Sequence, residues 1–169
     1  MLESVRRDKN KIYNHFTMKK IQFEIIINAS AEQVYKTMLG INAIDTYNQW
    51  TAEFNPTSTY EGTWEKGSKI YFIGTDENGN RGGMVSEIAD IIPFRFVSIR
   101  HYGILDGDNE ITEGPDVEKW AGGLENYSFH EQDGQTTVTV ETDVDGDYLD
   151  YFNSTWPRAL QKLKELAEK

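Results

Sequence analysis

The chain has 169 residues, the size of one domain, and its 28 acidic against 17 basic residues give a formal net charge of −11. That charge repels phosphate backbones and anionic membrane surfaces, so it argues against a nucleic-acid partner. The absence of cysteine excludes disulfides, thiolate metal sites and cysteine nucleophiles. No stretch approaches the roughly 20 apolar residues of a membrane helix, so a cytoplasmic location is the default expectation.

The beginning of the chain differs in composition from the remainder. Residues 1–17 are polar and basic, and Met18 resembles a second start directly before the first strand pattern. We therefore predict an N-terminal extension over 1–17 and one domain over 18–169. A weakly ordered arm is the favoured interpretation of the extension, with a docking helix and an over-extended start as alternatives.

The first regular pattern is a strand over 20–28 followed by a helix. Alternation places four apolar side chains on one face of the strand: Ile21, Phe23, Ile25 and Ile27. Ser30 can then cap a helix, with Gln33 three residues later completing a capping box, and Gly40 ends it. A second short helix is predicted from 41 to about 50.

A series of strand patterns and one final helix make up the rest of the chain. The strands are predicted over 57–62, 68–74, 83–92, 94–102, 123–132 and 135–144. Between them, residues 105–119 are acidic and rich in turn formers, which predicts a long loop. The last helix is predicted over 147–169 from its apolar i, i+3, i+4 spacing, with Pro157 kinking it or marking a new first turn.

Four segments carry a resemblance to a known family: 23–35 (FEIIINASAEQVY), 64–70 (WEKGSKI), 87–93 (EIADIIP) and 156–163 (WPRALQKL). With the order of elements, they resemble the START-like, or SRPBCC, helix-grip superfamily, in its branch related to the activator of heat-shock-protein ATPase. The resemblance implies an α+β fold. In that fold a curved antiparallel sheet of about seven strands wraps around a long C-terminal helix, with two short helices after the first strand.

The same resemblance implies a deep cavity between the sheet and the long helix. Members of the superfamily hold lipids, sterols, polyketides or other apolar molecules, and some are cyclases, aromatases or hydroxylase subunits. A curved sheet closed by one helix also forms a hollow as readily as a solid core. The chain has nine Tyr, eight Phe and four Trp, residue types that line pockets as well as cores.

Ten residues are the candidate ligand-binding set: Trp50, Phe54, Tyr71, Met84, Arg100, Tyr102, Tyr127, Phe129, Phe152 and Trp156. The strand over 94–102 leaves two alternatives for its faces. One face carries Arg100 and Tyr102, and the other carries Val97, Ile99 and His101. If the first face is inward, Arg100 must pair with an acid or a ligand carboxylate, since an unpaired buried guanidinium is very costly.

Recognisable catalytic and metal-binding patterns are absent from the sequence. The histidines (His15, His101 and His130) lack metal-ligand spacing, and no nucleophile elbow or phosphate loop occurs. The carboxylates near the last strand (Asp143, Asp145, Asp147 and Asp150) fit a helix N-terminus better than a calcium loop. We therefore expect no metal and no cofactor, and an enzyme is the least favoured class.

The sequence-based interpretation is a domain that binds a small apolar or amphipathic molecule, with the segment 105–119 as a lid over the cavity. A cochaperone-like protein-interaction module is the first alternative, and it would expose an apolar patch over a filled core. A cyclase- or hydrolase-type enzyme is the second, and it would need convergent polar groups inside the cavity. A weak homodimer through an edge strand or the N-terminal arm stays open.

Overall fold

Eight antiparallel strands form one sheet in the computed structural model, which describes residues 18–169. They are β1 (Met18–Ile27), β2 (Thr59–Gly62), β3 (Lys69–Thr75), β4 (Arg81–Ile92), β5 (Phe96–Asp106), β6 (Asn109–Ile111), β7 (Gly123–Gln132) and β8 (Gln135–Asp145). Their order is β1-β8-β7-β5-β4-β3-β2, and β6 pairs with β5 outside that path. Because β1 pairs with β8, the first and last strands of the described chain meet at one end of the sheet.

The helices are α1 (Ala31–Leu39), α2 (Ile44–Thr51), α3 (Pro115–Glu118) and α4 (Leu149–Ala167), with a 3₁₀ turn at Gly146–Tyr148 before α4. The long helix α4 contacts α1, α2 and β1. Its buried face carries Trp156, Ala159, Leu160 and Leu163, an amphipathic stripe at helical spacing. The helix continues through Pro157, which faces solvent, so no new helix begins at that residue.

Local hydrogen bonds fix the two helices that follow β1. The Ser30 hydroxyl accepts from the Gln33 backbone N–H at 3.2 Å, and Gly40 ends α1 in the left-handed conformation with φ 67°. Both features match the prediction from the sequence. The indole N–H of Trp50 on α2 donates to the Met38 carbonyl at 2.8 Å, which ties α2 to the end of α1. The buried Trp50 is thereby held in one orientation.

The segment 105–119 differs from the predicted long loop. Residues up to Asp106 extend β5, and a tight turn with Gly107 at φ 61° leads into β6, which pairs back onto β5. Pro115 then occupies the first turn of α3, where its missing N–H is not needed. The predicted loop therefore contains a short hairpin and a helical turn, which its acidic composition did not indicate. The lid role of this segment stays a prediction.

The helix-grip architecture predicted from the sequence is confirmed, with a sheet of eight strands in place of about seven. The predicted extension over 1–17 lies outside the described residues, and the domain boundary at residue 18 stays a prediction. Within residues 18–169, no helix is long and apolar enough to cross a membrane.

The contact between β3 and β4 supplies a stability test at Gly83, where a Cβ would lie 1.9 Å from the Phe72 carbonyl oxygen. We expect Gly83→Ala to lower the free energy of unfolding by roughly 3 kcal/mol or more, through backbone strain and steric overlap. The matched control is Gly79→Ala in the β3–β4 turn, where φ is 79° and no atom lies within 4 Å. It should cost only about 1 kcal/mol. Urea denaturation measures both, and equal losses would contradict the close approach.

Candidate functional site

A cavity of about 500 Å³ lies between the inner face of the sheet and the helices α2 and α4. Its volume falls within the roughly 300 to 1,000 Å³ of small-molecule pockets. Aromatic side chains make up much of its wall: Tyr47, Trp50, Phe54, Phe72, Trp120, Tyr127, Tyr148, Phe152 and Trp156. The cavity is therefore bounded mainly by large, rigid, apolar surfaces.

The Trp156 side chain on α4 is the centre of this aromatic wall. Its ring centroid lies 5.0 Å from that of Phe54 and 5.8 Å from that of Trp50. On the sheet side it lies 6.2 Å from the rings of Phe23 and Tyr127. These separations are typical of favourable aromatic pairs, so the rings hold one another in place. The indole N–H of Trp156 is buried without a hydrogen-bond partner among the described residues.

A row of polar side chains interrupts the aromatic wall on the sheet side. Glu125 on β7 accepts a hydrogen bond from the Tyr127 hydroxyl, and its Oε1 lies 3.2 Å from His101 Nε2. His101 Nδ1 lies 2.6 Å from the Ser86 hydroxyl. Since a carboxylate only accepts, His101 Nε2 carries the hydrogen toward Glu125, and the Ser86 hydroxyl is the hydrogen-bond partner of Nδ1. Glu125, His101 and Tyr127 line the cavity, whereas Ser86 is fully buried behind it.

The surroundings of Glu125 stabilise the protonated, neutral form of two nearby tyrosines, Tyr47 and Tyr127. Burial raises the pKa of Tyr127 well above its ordinary value, and the nearby charge of Glu125 raises this pKa further. Burial likewise raises the pKa of Tyr47, with Glu125 again the next cause. Both phenols are therefore neutral hydrogen-bond donors at neutral pH.

A β-bulge decides which side chains of β5 face the cavity. Val85 pairs with Gly103, but the next residue of β4, Ser86, pairs with His101, so Tyr102 is an extra residue on β5. Ile104 and His101 consequently both line the cavity, although simple alternation would place them on opposite faces. The bulge pairs His101 with Ser86, and the regular pairing of β5 with β7 places His101 within reach of Glu125.

The structure brings six of the ten predicted residues to the cavity wall: Trp50, Phe54, Met84, Tyr127, Phe152 and Trp156. Phe129 instead lies in the core, where its ring packs edge-to-face on Tyr35 with centroids 5.4 Å apart. The position of the six is established, and their contact with a ligand stays a prediction.

The remaining three predicted residues lie on the outer face of the sheet, which corrects their expected place. Arg100 Nε donates to Glu87 Oε1 at 2.7 Å, and its guanidinium lies 5.0 Å from the ring centroid of Tyr102. The Tyr71 hydroxyl donates to Glu110 at 2.6 Å. Tyr71 and Tyr102 both pack against a small outer cluster of Ile73, Val85 and Leu105. Of the two alternatives for this strand, the inward face is the one that carries Val97, Ile99 and His101.

Sequence reasoning missed the carboxylate at the centre of the site. Glu125 shares the inward face of β7 with the buried Tyr127 and Phe129, at alternate positions. The pattern that could have indicated it is an acidic residue at the same alternate strand positions as two aromatic residues. Tyr47 and Phe72 on the wall were also missed, because nothing distinguishes them from core residues in the sequence.

Two further carboxylates lie where β8 borders the cavity. Asp143 accepts from the Leu124 backbone N–H at 3.0 Å and forms an ion pair with Lys20 at 3.3 Å. Asp145 accepts from the Asp147 N–H at 3.2 Å and so caps the 3₁₀ turn. Capping is the role expected for this acidic segment. Within residues 18–169, no three His, Asp or Glu side chains are grouped closely enough to hold a metal ion.

Comparison with known proteins gives matches in structure and none in sequence families. No protein-family model matches the chain, and no curated protein matches it significantly. The solution structure of the Aha1 dimer from Colwellia psychrerythraea matches with a TM-score of 0.64 and 23% identity, over 89% of this chain and 96% of that one. Protein NE0264 from Nitrosomonas europaea matches with a TM-score of 0.65 and 12% identity, over 88% and 93%.

A third similar structure is CalU16 from Micromonospora echinospora, with a TM-score of 0.59 and 14% identity over 89% of this chain and 76% of that one. At these identities the likeness establishes the fold alone. The predicted helix-grip fold is thereby confirmed, with an Aha1 structure among its neighbours.

The buried tyrosines predict a loss of stability at alkaline pH. Their folded-state pKa values are raised, so the stability they contribute is complete below about pH 10, the unfolded pKa, and is lost as pH rises toward the folded values. We expect Tyr127→Phe to reduce the fall in unfolding free energy between about pH 8 and pH 11. Tyr148→Phe, at a side chain 59% exposed, is the control and should leave the fall unchanged. Identical pH slopes for Tyr127→Phe and wild type would contradict the assignment.

Proposed function

We propose that this chain binds one small apolar or amphipathic molecule in the cavity between the sheet and α4. The observation that carries the proposal is the aromatic wall around about 500 Å³ of space. Protein interiors are close-packed, and voids larger than a water molecule are few. An apolar space of this size is a poor place for water and a favourable one for an apolar ligand.

Polar groups on the wall support an orientation for such a ligand. Glu125 and Tyr127 lie on the sheet side, whereas Trp50 and Trp156 supply apolar surface from the helices. A ligand with an apolar body and a polar group at one end would satisfy both parts of the wall.

A second candidate function is self-association as part of a protein-interaction role, and the likeness to the Aha1 dimer favours it. Sedimentation velocity over a range of protein concentrations tests this proposal directly. A concentration-dependent shift from monomer to dimer would support it, and a monomer throughout would contradict it. A cytoplasmic location also stays a prediction.

The enzyme alternative would place the row of Ser86, His101 and Glu125 in a catalytic role. Ser86 does not line the cavity, and its fully buried hydroxyl is engaged with the His101 ring. A nucleophile has to reach the substrate, so this serine is better explained as a support for the histidine. Catalysis by a serine nucleophile is therefore not the function that this row favours.

Filling the cavity should weaken the binding of a neutral apolar probe. Ile104 lines the cavity, and Ile104→Trp inserts an indole into it. We expect wild-type protein to enhance the fluorescence of N-phenylnaphthylamine and Ile104→Trp to weaken its affinity by about tenfold or more, a loss of about 1.4 kcal/mol. Ile26→Trp is the matched control, because Ile26 is 56% exposed and does not line the cavity.

Thermal unfolding of both variants establishes that they are folded before the probe titrations are compared. Equal probe affinity in wild type and Ile104→Trp would overturn the proposed site, because it would place the probe elsewhere on the protein. Native mass spectrometry of protein purified gently from its own host would then identify any retained molecule. A stoichiometric apolar ligand lost in Ile104→Trp, but kept in Ile26→Trp, would name the ligand class.

A further inference from the structure

We propose that the molecule bound in the cavity is an organic cation, with an amine or ammonium group attached to an aromatic or other apolar body. Glu125 is its counter-ion. The inference rests on the proposed function, because it takes the cavity as the binding site, and it goes further by fixing the charge of the ligand.

The charged side chains on the cavity wall are of one sign. Among residues 18–169, the wall includes Glu125, Asp143 and Asp145 and contains neither lysine nor arginine. Asp143 is already paired with Lys20, and Asp145 caps a helical turn. An anionic ligand would therefore find no cation among the described wall residues and would meet carboxylates instead, which disfavours fatty acids and other carboxylates.

Glu125 has hydrogen bonds but no permanent positive partner. Its only ion-pair candidate among the described residues is His101, and an imidazole is not a permanent cation. A carboxylate in a largely apolar wall costs several kcal/mol unless a cation compensates it. One positive charge beside Glu125, on the cavity side of β7, would supply this compensation.

The carboxylate also keeps unused hydrogen-bonding capacity. An ionised carboxylate offers about four lone-pair sites, and the bonds from Tyr127 and His101 occupy two of them. The N–H groups of a protonated amine can fill the remaining sites. Charge-assisted hydrogen bonds of this kind are shorter and roughly twice as strong as those between neutral groups.

The aromatic wall is the second feature that favours a cation. The rings of Trp50, Tyr127 and Trp156 lie about one another with centroids 5.8 to 6.4 Å apart. Indole and phenol faces attract ammonium groups within about 6 Å of their centroids, most strongly where water is excluded. The Tyr127 ring lies beside the Glu125 carboxylate, so an ammonium group held there meets an aromatic ring as well as the negative charge.

The test compares three probes that share one apolar body and differ in charge: naphthylethylamine, naphthylethanol and naphthylacetate. Isothermal titration calorimetry on the full chain at neutral pH measures their affinities. We expect the amine to bind about tenfold tighter than the alcohol, and the acid to bind most weakly. Glu125→Gln should remove the difference between amine and alcohol.

Two variants serve as controls for charge and for structure. Glu77→Gln removes one negative charge from the exposed β3–β4 turn, so it should keep the preference for the amine. Tyr127→Phe removes the donor that holds the Glu125 carboxylate in place but keeps the negative charge, so it should weaken the preference for the amine without abolishing it. If Glu125→Gln does not fold, the wild-type ranking and Tyr127→Phe decide the question.

Alcohol or acid binding as tightly as the amine would overturn the inference and leave the proposed function standing. An equal loss of preference in Glu77→Gln and Glu125→Gln would also overturn it, because general surface charge would then explain the ranking. Failure of all three probes to bind overturns the inference as well. In that case the N-phenylnaphthylamine titrations on Ile104→Trp show whether the proposed function fails too.

Discussion

The cavity depends on the long helix α4. The second half of this helix packs tightly in the core, and its first half borders the cavity. Ala159, Leu160 and Leu163 of α4 are fully buried in the core, whereas Phe152 and Trp156 reach the cavity. The end of α4 is fastened to β1, since Lys164 Nζ donates to the Ile26 carbonyl at 2.8 Å and Glu168 accepts from the Asn28 N–H at 2.9 Å. A helix held in this way positions its aromatic residues over the sheet without filling the space beneath them.

The opposite wall depends on a single inserted residue in β5. The bulge at Tyr102 changes which side chains face inward, so that His101 and Ile104 share the cavity side while Tyr102 joins the outer cluster. Without it, period-two alternation would separate these two wall residues. The bulge also pairs His101 with Ser86, whereas the regular pairing of β5 with β7 places His101 beside Glu125. The polar row therefore depends on an irregular strand pair on one side and on a regular strand pair on the other.

Features encoded locally could be predicted from the sequence, and features that depend on registration between strands could not. The Ser30 cap, the Gly40 stop and the final amphipathic helix were readable because each involves only near neighbours. The position of Arg100 on the outer face of the sheet could not be predicted, because it depends on the pairing of β5 with β4, which a single sequence does not reveal. Glu125 escaped notice because an acidic residue in a strand ordinarily faces solvent. Aromatic residues at inward positions were the best guide to the wall, and Phe129 shows that the same pattern also marks plain core.

The polar row has an energetic consequence that links stability to binding. A carboxylate placed among aromatic rings lowers the stability of the ligand-free protein, and the donors from Tyr127 and His101 offset only part of that cost. Replacing such a group by an apolar one of similar size is commonly neutral or stabilising, so packing alone gives no reason for Glu125. A bound cation would compensate the negative charge of Glu125, and the stability lost in the ligand-free protein would then contribute to the free energy of binding. Tyr127, kept neutral by its raised pKa, then holds the carboxylate in position for that contact.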